Sequence, residues 1–252
     1  MGFFWILWSS QRMTVLIYMD TESERIEYAA RHTEIIRHPR QHLATFGVTN
    51  IYYYLLTEPT YSEISNDVNE TVIREGRVLA ERPKIVTPYY LTHLEGFSYD
   101  ARQYFQKLLM MHGPNAPGLF YTYKNEPKGL NIVSDRWQVV VEKLNDEIDK
   151  KGDPLATIIK GQDDLWDVSL LKFIYEITSR SVQSNMAQLE SRGMLGMSHG
   201  GIPVGIRQSI EEMFQQAGRG EIRAYELEQE LNHWGVFEEY QDRFFALVKG
   251  RK

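Results

Sequence analysis

Strand-like apolar spacing is concentrated before about residue 161, where it alternates with helical stretches, and the spacing after it is almost wholly helical. Residues 20–37 predict a helix: Asp20 or Thr21 caps it, Glu22 and Glu24 suit its first turn, and Pro39 ends it. Residues 48–56 (VTNIYYYLL) are β-branched and aromatic and read as a strand closed by Glu58–Pro59. Residues 70–86 predict a hairpin turning at Glu75–Gly76, with Pro83 marking an edge or a break before 84–87. A helix is expected over 98–112, with Gly113 past its end. An aromatic strand follows over 119–123, ending towards Glu126–Pro127, and a short extended piece over 130–133. Residues 135–151 form a clear amphipathic pattern through Trp137, Val140, Val141, Leu144 and Ile148, closed by Gly152. A short buried strand is expected over 155–159.

From Asp163 the pattern is helical. A long helix spans 163–195, a glycine-rich loop runs from Gly193 to Gly205, and three shorter helices lie near 206–217, 224–233 and 237–249. The fold expected is α+β: a small mixed or antiparallel sheet packed with helices, followed by a mainly helical C-terminal region. The organisation expected is an N-terminal extension or terminal strand (1–19), an α+β domain (20–161) and a helical region (162–252) that shares the same core or stands apart from it. Residues 2–8 (GFFWILW) and 14–19 (TVLIYM) are apolar but far shorter than the ~20 residues of a membrane span. They fit an upstream extension with Met13 or Met19 as the working start, a terminal strand, or an interfacial anchor. No secretory pattern accompanies them, so a cytoplasmic location is expected.

Composition narrows the chemistry. In 252 residues, 42% are hydrophobic and 25% charged, which fits a packed domain rather than disorder. The net charge of −6 disfavours a general nucleic-acid binder, which needs a basic surface. The chain has no cysteine, so disulfides, thiolate metal sites and cysteine nucleophiles are excluded. Carboxylate, histidine and tyrosine chemistry remain, and no cofactor motif or metal-ligand spacing is present.

Glu58 and Glu126 are the candidate catalytic residues. Each follows an aromatic run and precedes a proline, within the parallel segments 51–59 and 119–127. Two carboxylates in one cleft can divide acid and base roles, which requires roughly 5–10 Å between them. The alternative is that Glu-Pro merely ends each strand.

The segment 31–42 (RHTEIIRHPRQH) collects three histidines and three arginines. Its cations disfavour a metal and favour an anion, which makes Arg37, His38, Arg40 and His42 candidate anion-binding residues. The bland alternative is a basic helix end. The glycine-rich loop lacks the lysine of a phosphate loop and the spacing of a dinucleotide loop. Residues 177–195 (ITSRSVQSNMAQLESRGML) resemble the recognition-helix end of winged-helix regulators, which implies DNA binding through that helix. Only Arg180 and Arg192 supply cations there.

Two classes of function remain. The first is a non-catalytic interaction or regulatory protein, with a protein partner or a second copy held by helices carrying Trp234, Phe237, Tyr240 and Phe244. The second is a hydrolase acting through Glu58 and Glu126 on a small or sugar-like substrate.

Overall fold

The computed structural model describes residues 21–59, 69–92, 106, 109–113 and 116–250. The expectations for residues 1–19 and most of the helix expected over 98–112 lie outside these residues. The fold is α+β, with a five-stranded mixed sheet and a helical C-terminal region. Contacts divide the chain into two compact units: Met1–Arg82 with Tyr121–Asn185, and Pro83–Phe120 with Met186–Lys252. Each unit is assembled from two separate stretches of the chain.

In the first unit, helix α1 (Thr21–Arg31) leads to β1 (Glu34–Arg37), β2 (Thr49–Thr57), β3 (Thr71–Ala80) and β6 (Tyr123–Val133). Next come the helix Trp137–Lys151 (α3), β7 (Ala156–Lys160) and the helix Trp166–Ser191 (α4), which belongs to this unit as far as Asn185. The sheet order is β1-β7-β2-β3-β6. Strands β2 and β7 are parallel, and every other pairing is antiparallel. Because β2 is central, both of its faces are covered, which explains its unbroken aromatic and aliphatic run. Ile51, Tyr53, Leu55, Val78 and Ile159 pack against Leu170, Phe173, Ile174 and Ile177 of α4. Leu56, Ile73, Ala156 and Ile158 on the other face pack against Val140, Leu144 and Ile148 of α3. Both helices present residues at spacings of three and four, which is one face of a helix.

Three expectations fail for identifiable reasons. The first helix stops at Arg31, and Ile35 and Ile36 belong to β1 instead. Lys172 of α4 donates to the carbonyls of Ala30 (3.0 Å) and Thr33 (2.8 Å), placing a cation at the negative end of α1. Gly76 makes no turn. It lies inside the continuous strand β3, opposite Tyr53, where any Cβ would overlap the Tyr53 phenol. Pro127 ends no strand either. It sits within β6, an edge strand, beside a register shift at Glu75/Gly76. An edge strand tolerates the missing N–H.

In the second unit, β4 (Lys84–Val86) pairs with β5 (Gly118–Phe120). Helix α2 (Pro88–Thr92) follows β4, and α5 (Val204–Arg219), α6 (Ala224–His233) and α7 (Phe237–Lys249) complete the unit. Gly205 lets α5 approach closely: a Cβ there would overlap Ile85. Tyr90 stacks on Trp234 at 4.5 Å. The Trp234 indole N–H donates to Glu230 at 3.1 Å, so a half-buried carboxylate satisfies the buried ring.

Candidate functional site

The loop after β1 runs back across the first unit. The Arg40 N–H donates to the Pro154 carbonyl at 2.8 Å, and the Leu43 N–H donates to Ser181 Oγ at 3.0 Å on α4. The loop is thus pinned at both ends, and between the pins it shapes a small cavity of about 160 Å³. His38, Pro39, Arg40, Gln41, His42, Ile177 and Arg180 line it. Four of these seven side chains are basic. Buried Ile177 supplies the apolar floor, and the basic groups stand at the surface.

The charge around the cavity is unevenly compensated. Arg40 Nη2 donates to Asp149 Oδ1 at 2.8 Å, and Arg37 Nη2 donates to the same oxygen at 2.6 Å. Arg37 also donates to Asn145 Oδ1 at 2.9 Å. The Arg37 guanidinium beside Asp149 holds that carboxyl below its usual range, and Arg40 adds to the effect. Arg180, His38 and His42 make no hydrogen bond or ion pair to the described residues. Among the described residues, no carboxylate lines the cavity. A compact anion suits this arrangement, because Arg180 offers a planar fork of donors with no internal acceptor to displace.

Three of the four anion-binding candidates, His38, Arg40 and His42, therefore meet at one cavity, and Arg37 does not. Its side chain turns under the loop to α3, where Asn145 and Asp149 hold it. Arg180 is the residue that local sequence reading missed as part of this group. It lies far along the chain, and only the packing of α4 against the β1 loop brings it here.

Glu58 and Glu126 do not form a pair. Glu126 pairs with Arg77, which lies opposite Tyr52 near the start of β2, whereas Glu58 follows the end of β2. Six residues of strand separate the two levels, about 20 Å. Glu126 is ion-paired to Lys124 (2.8 Å) and Arg77 (2.5 Å), which hold its carboxyl down to about 2. A carboxyl so acidic carries no proton to donate near neutral pH. Glu58 lies 3.9 Å from Lys160. The parallel between 51–59 and 119–127 also dissolves: the first is β2 and its exit, while the second runs from β5 of one unit into β6 of the other.

The resemblance to a recognition helix does not survive packing. Helix α4 is uninterrupted from Trp166 to Ser191, so no turn precedes Ser179. Thr178, Ser181 and Asn185 on its polar face are buried. Asn185 donates to Tyr121 Oη at 3.0 Å and accepts from Thr45 at 3.1 Å, and Ser181 donates to the Ile177 carbonyl. Such a face reads the protein's own interior, not a groove.

The partner surface expected on the C-terminal helices is mostly interior. Trp234 and Phe244 are buried, and Phe237 and Tyr240 are half-buried. The glycine-rich loop is tied down by Arg207, which donates to Ser198 Oγ (2.8 Å), the His199 carbonyl, the Glu239 carboxylate and Tyr240 Oη (3.3 Å). Among the described residues, no three carboxylates or histidines are grouped to hold a metal ion, and no helix is long and apolar enough to cross a membrane.

A second depression of about 470 Å³ lies beside Glu24, Arg25, Tyr28, Gln162 and Asp164. Its Arg25 and Asp164 are paired to each other at 2.6 Å, which leaves it without an unmatched cation. No protein-family model, curated protein or solved structure matches this chain.

Proposed function

We propose that this is a non-catalytic binding or regulatory protein whose first unit captures a compact, phosphate-like anion in the cavity formed by His38, Arg40, His42 and Arg180. The observation that supports this reading is the convergence of four basic side chains from two elements on a cavity without a carboxylate in its wall. His38, His42 and Arg180 make no ion pair to the described residues, and Arg40 makes only an exposed one to Asp149, so an external anion can engage all four. The volume of about 160 Å³ falls below the roughly 300–1,000 Å³ of pockets for drug-sized ligands. It suits a free inorganic anion or a phosphomonoester group carried by a larger molecule. Among the described residues, the histidines are the only groups at the cavity that could act as a nucleophile or general base, and binding accounts for the arrangement.

The test is calorimetric titration of inorganic phosphate into the full chain and into Arg180→Ala. Losing a charge-assisted donor fork should weaken binding about tenfold or more. Equal affinity in the two proteins, or heat indistinguishable from dilution in the wild type, would reject the reading. A parallel titration with a phosphomonoester such as phosphoserine separates the two sources of the group.

A further inference from the structure

Asp149 stands outside the cavity, yet it holds one of the arginines that line it. Its Oδ1 accepts from both Arg37 and Arg40, at 2.6 and 2.8 Å. The two arginines differ in what else restrains them. Arg37 is 13% exposed and has a second acceptor in Asn145, whereas Arg40 is 67% exposed and Asp149 is its only side-chain acceptor among the described residues. Arg37 is therefore the structural partner of Asp149 and Arg40 the releasable one.

We propose that Asp149 is an internal competitor for the ligand: an anion entering the cavity draws the Arg40 guanidinium away from Asp149, so Asp149 sets the affinity of the site. This rests on the anion-binding reading above and adds the regulation of that site. An exposed ion pair contributes little, so Arg40 gives up only a small interaction when a ligand recruits it. The same carboxylate keeps Arg37 in place throughout, so the loop need not rearrange when Arg40 swings. It also lies at the C-terminal end of α3, which ends at Lys151, so ligand occupancy is coupled to that helix end.

The experiment compares wild type, Asp149→Asn, Arg40→Gln and the double variant, with inorganic phosphate as the calorimetric probe. The asparagine retains an oxygen to accept from Arg37 while removing the charge that competes for Arg40. Asp149→Asn should bind phosphate about two- to fivefold more tightly, the range an exposed ion pair commands. In the Arg40→Gln background the same substitution should change affinity markedly less, because the competitor no longer has anything to withhold. An Asp149→Asn protein that binds no better than wild type, or a gain that persists unchanged without Arg40, overturns the competitor role while leaving the cavity reading intact. Absence of phosphate binding by wild type and all three variants overturns the cavity reading itself, and this inference with it. Circular dichroism on each variant shows whether the fold is retained. Should Asp149→Asn unfold, the Asp149→Glu variant, which keeps the charge but shifts it outward, must alter affinity through Arg40 in the same cycle or the proposal fails.

Discussion

Arg207 in the second unit and Arg180 in the first are both arginines beside loops, and they meet opposite fates. Arg207 donates to a hydroxyl, a backbone carbonyl, a carboxylate and a phenol, all within its own unit. Every direction its guanidinium can reach is answered, so its charge is used to hold the turn at residues 198–202. Arg180 stands with His38, Arg40 and His42 at a cavity with no acidic residue in its wall among the described residues. The difference teaches that a cation becomes a binding candidate through what fails to neutralise it. Counting basic residues along the chain does not reveal this, because the arginines of segment 31–42 differ: Arg31 pairs with Glu27, Arg37 is held by Asn145 and Asp149, and Arg40 is held by Asp149 alone at the surface.

The largest expected effect breaks the comparison from the structural side. Arg207→Ala should lower stability by about 1–2 kcal/mol in urea denaturation, since it removes a half-buried guanidinium that ties Ser198 Oγ and the His199 carbonyl, while the exposed Glu239 carboxylate adds little. Arg180→Ala should change stability by no more than about 0.5 kcal/mol, as expected for an exposed side chain without a partner among the described residues. Equal losses would mean that Arg180 is structural too, and the distinction between the two arginines would vanish.

The elements themselves were unequally legible. Helices α6 and α7 fall where their apolar periodicity and flanking breakers place them, at Ala224–His233 and Phe237–Lys249. Strand β2 is displaced by one residue from its expected span. Gly76 and Pro127 misled because each carries a strong local signal whose real cause is tertiary: one makes room for Tyr53, and the other lies on a sheet edge. At the cavity, His38, Arg40 and His42 stood close in sequence and were legible together. Arg180 was read only as part of a helix resembling a DNA reader. Its true neighbours depend on the buried Ser181 and Asn185 that fix α4 against the loop.

Acid offers a finer test of the same contrast. Asp149 and Glu239 both titrate below their usual ranges, held there first by hydrogen bonds from Arg37 and Arg207 respectively. A carboxyl with a depressed folded value adds stability above its unfolded value, and that stability is lost as pH falls through the folded value. Stability should therefore decline below about pH 4, the ordinary carboxylate range. The decline should be shallower in Arg207→Ala, where Glu239 has lost its first partner, and unchanged in Arg180→Ala, which faces no carboxylate. A shallower acid decline in Arg180→Ala would expose an internal counter-charge and contradict the account. Asp149→Asn, with its expected two- to fivefold gain in affinity, is the smallest effect and the finest probe of how the cavity is tuned.

The central claim is that the basic cavity of the first unit takes up a compact anion. Amide and imidazole NMR signals followed during a titration with inorganic phosphate test it most directly. The account predicts saturable shifts confined to residues 38–42, the α4 turn around Arg180 and the end of α3 at Asp149, with no comparable shifts around Arg207. Shifts that scatter across the surface without saturating, or that centre on the Arg207 loop, would contradict it.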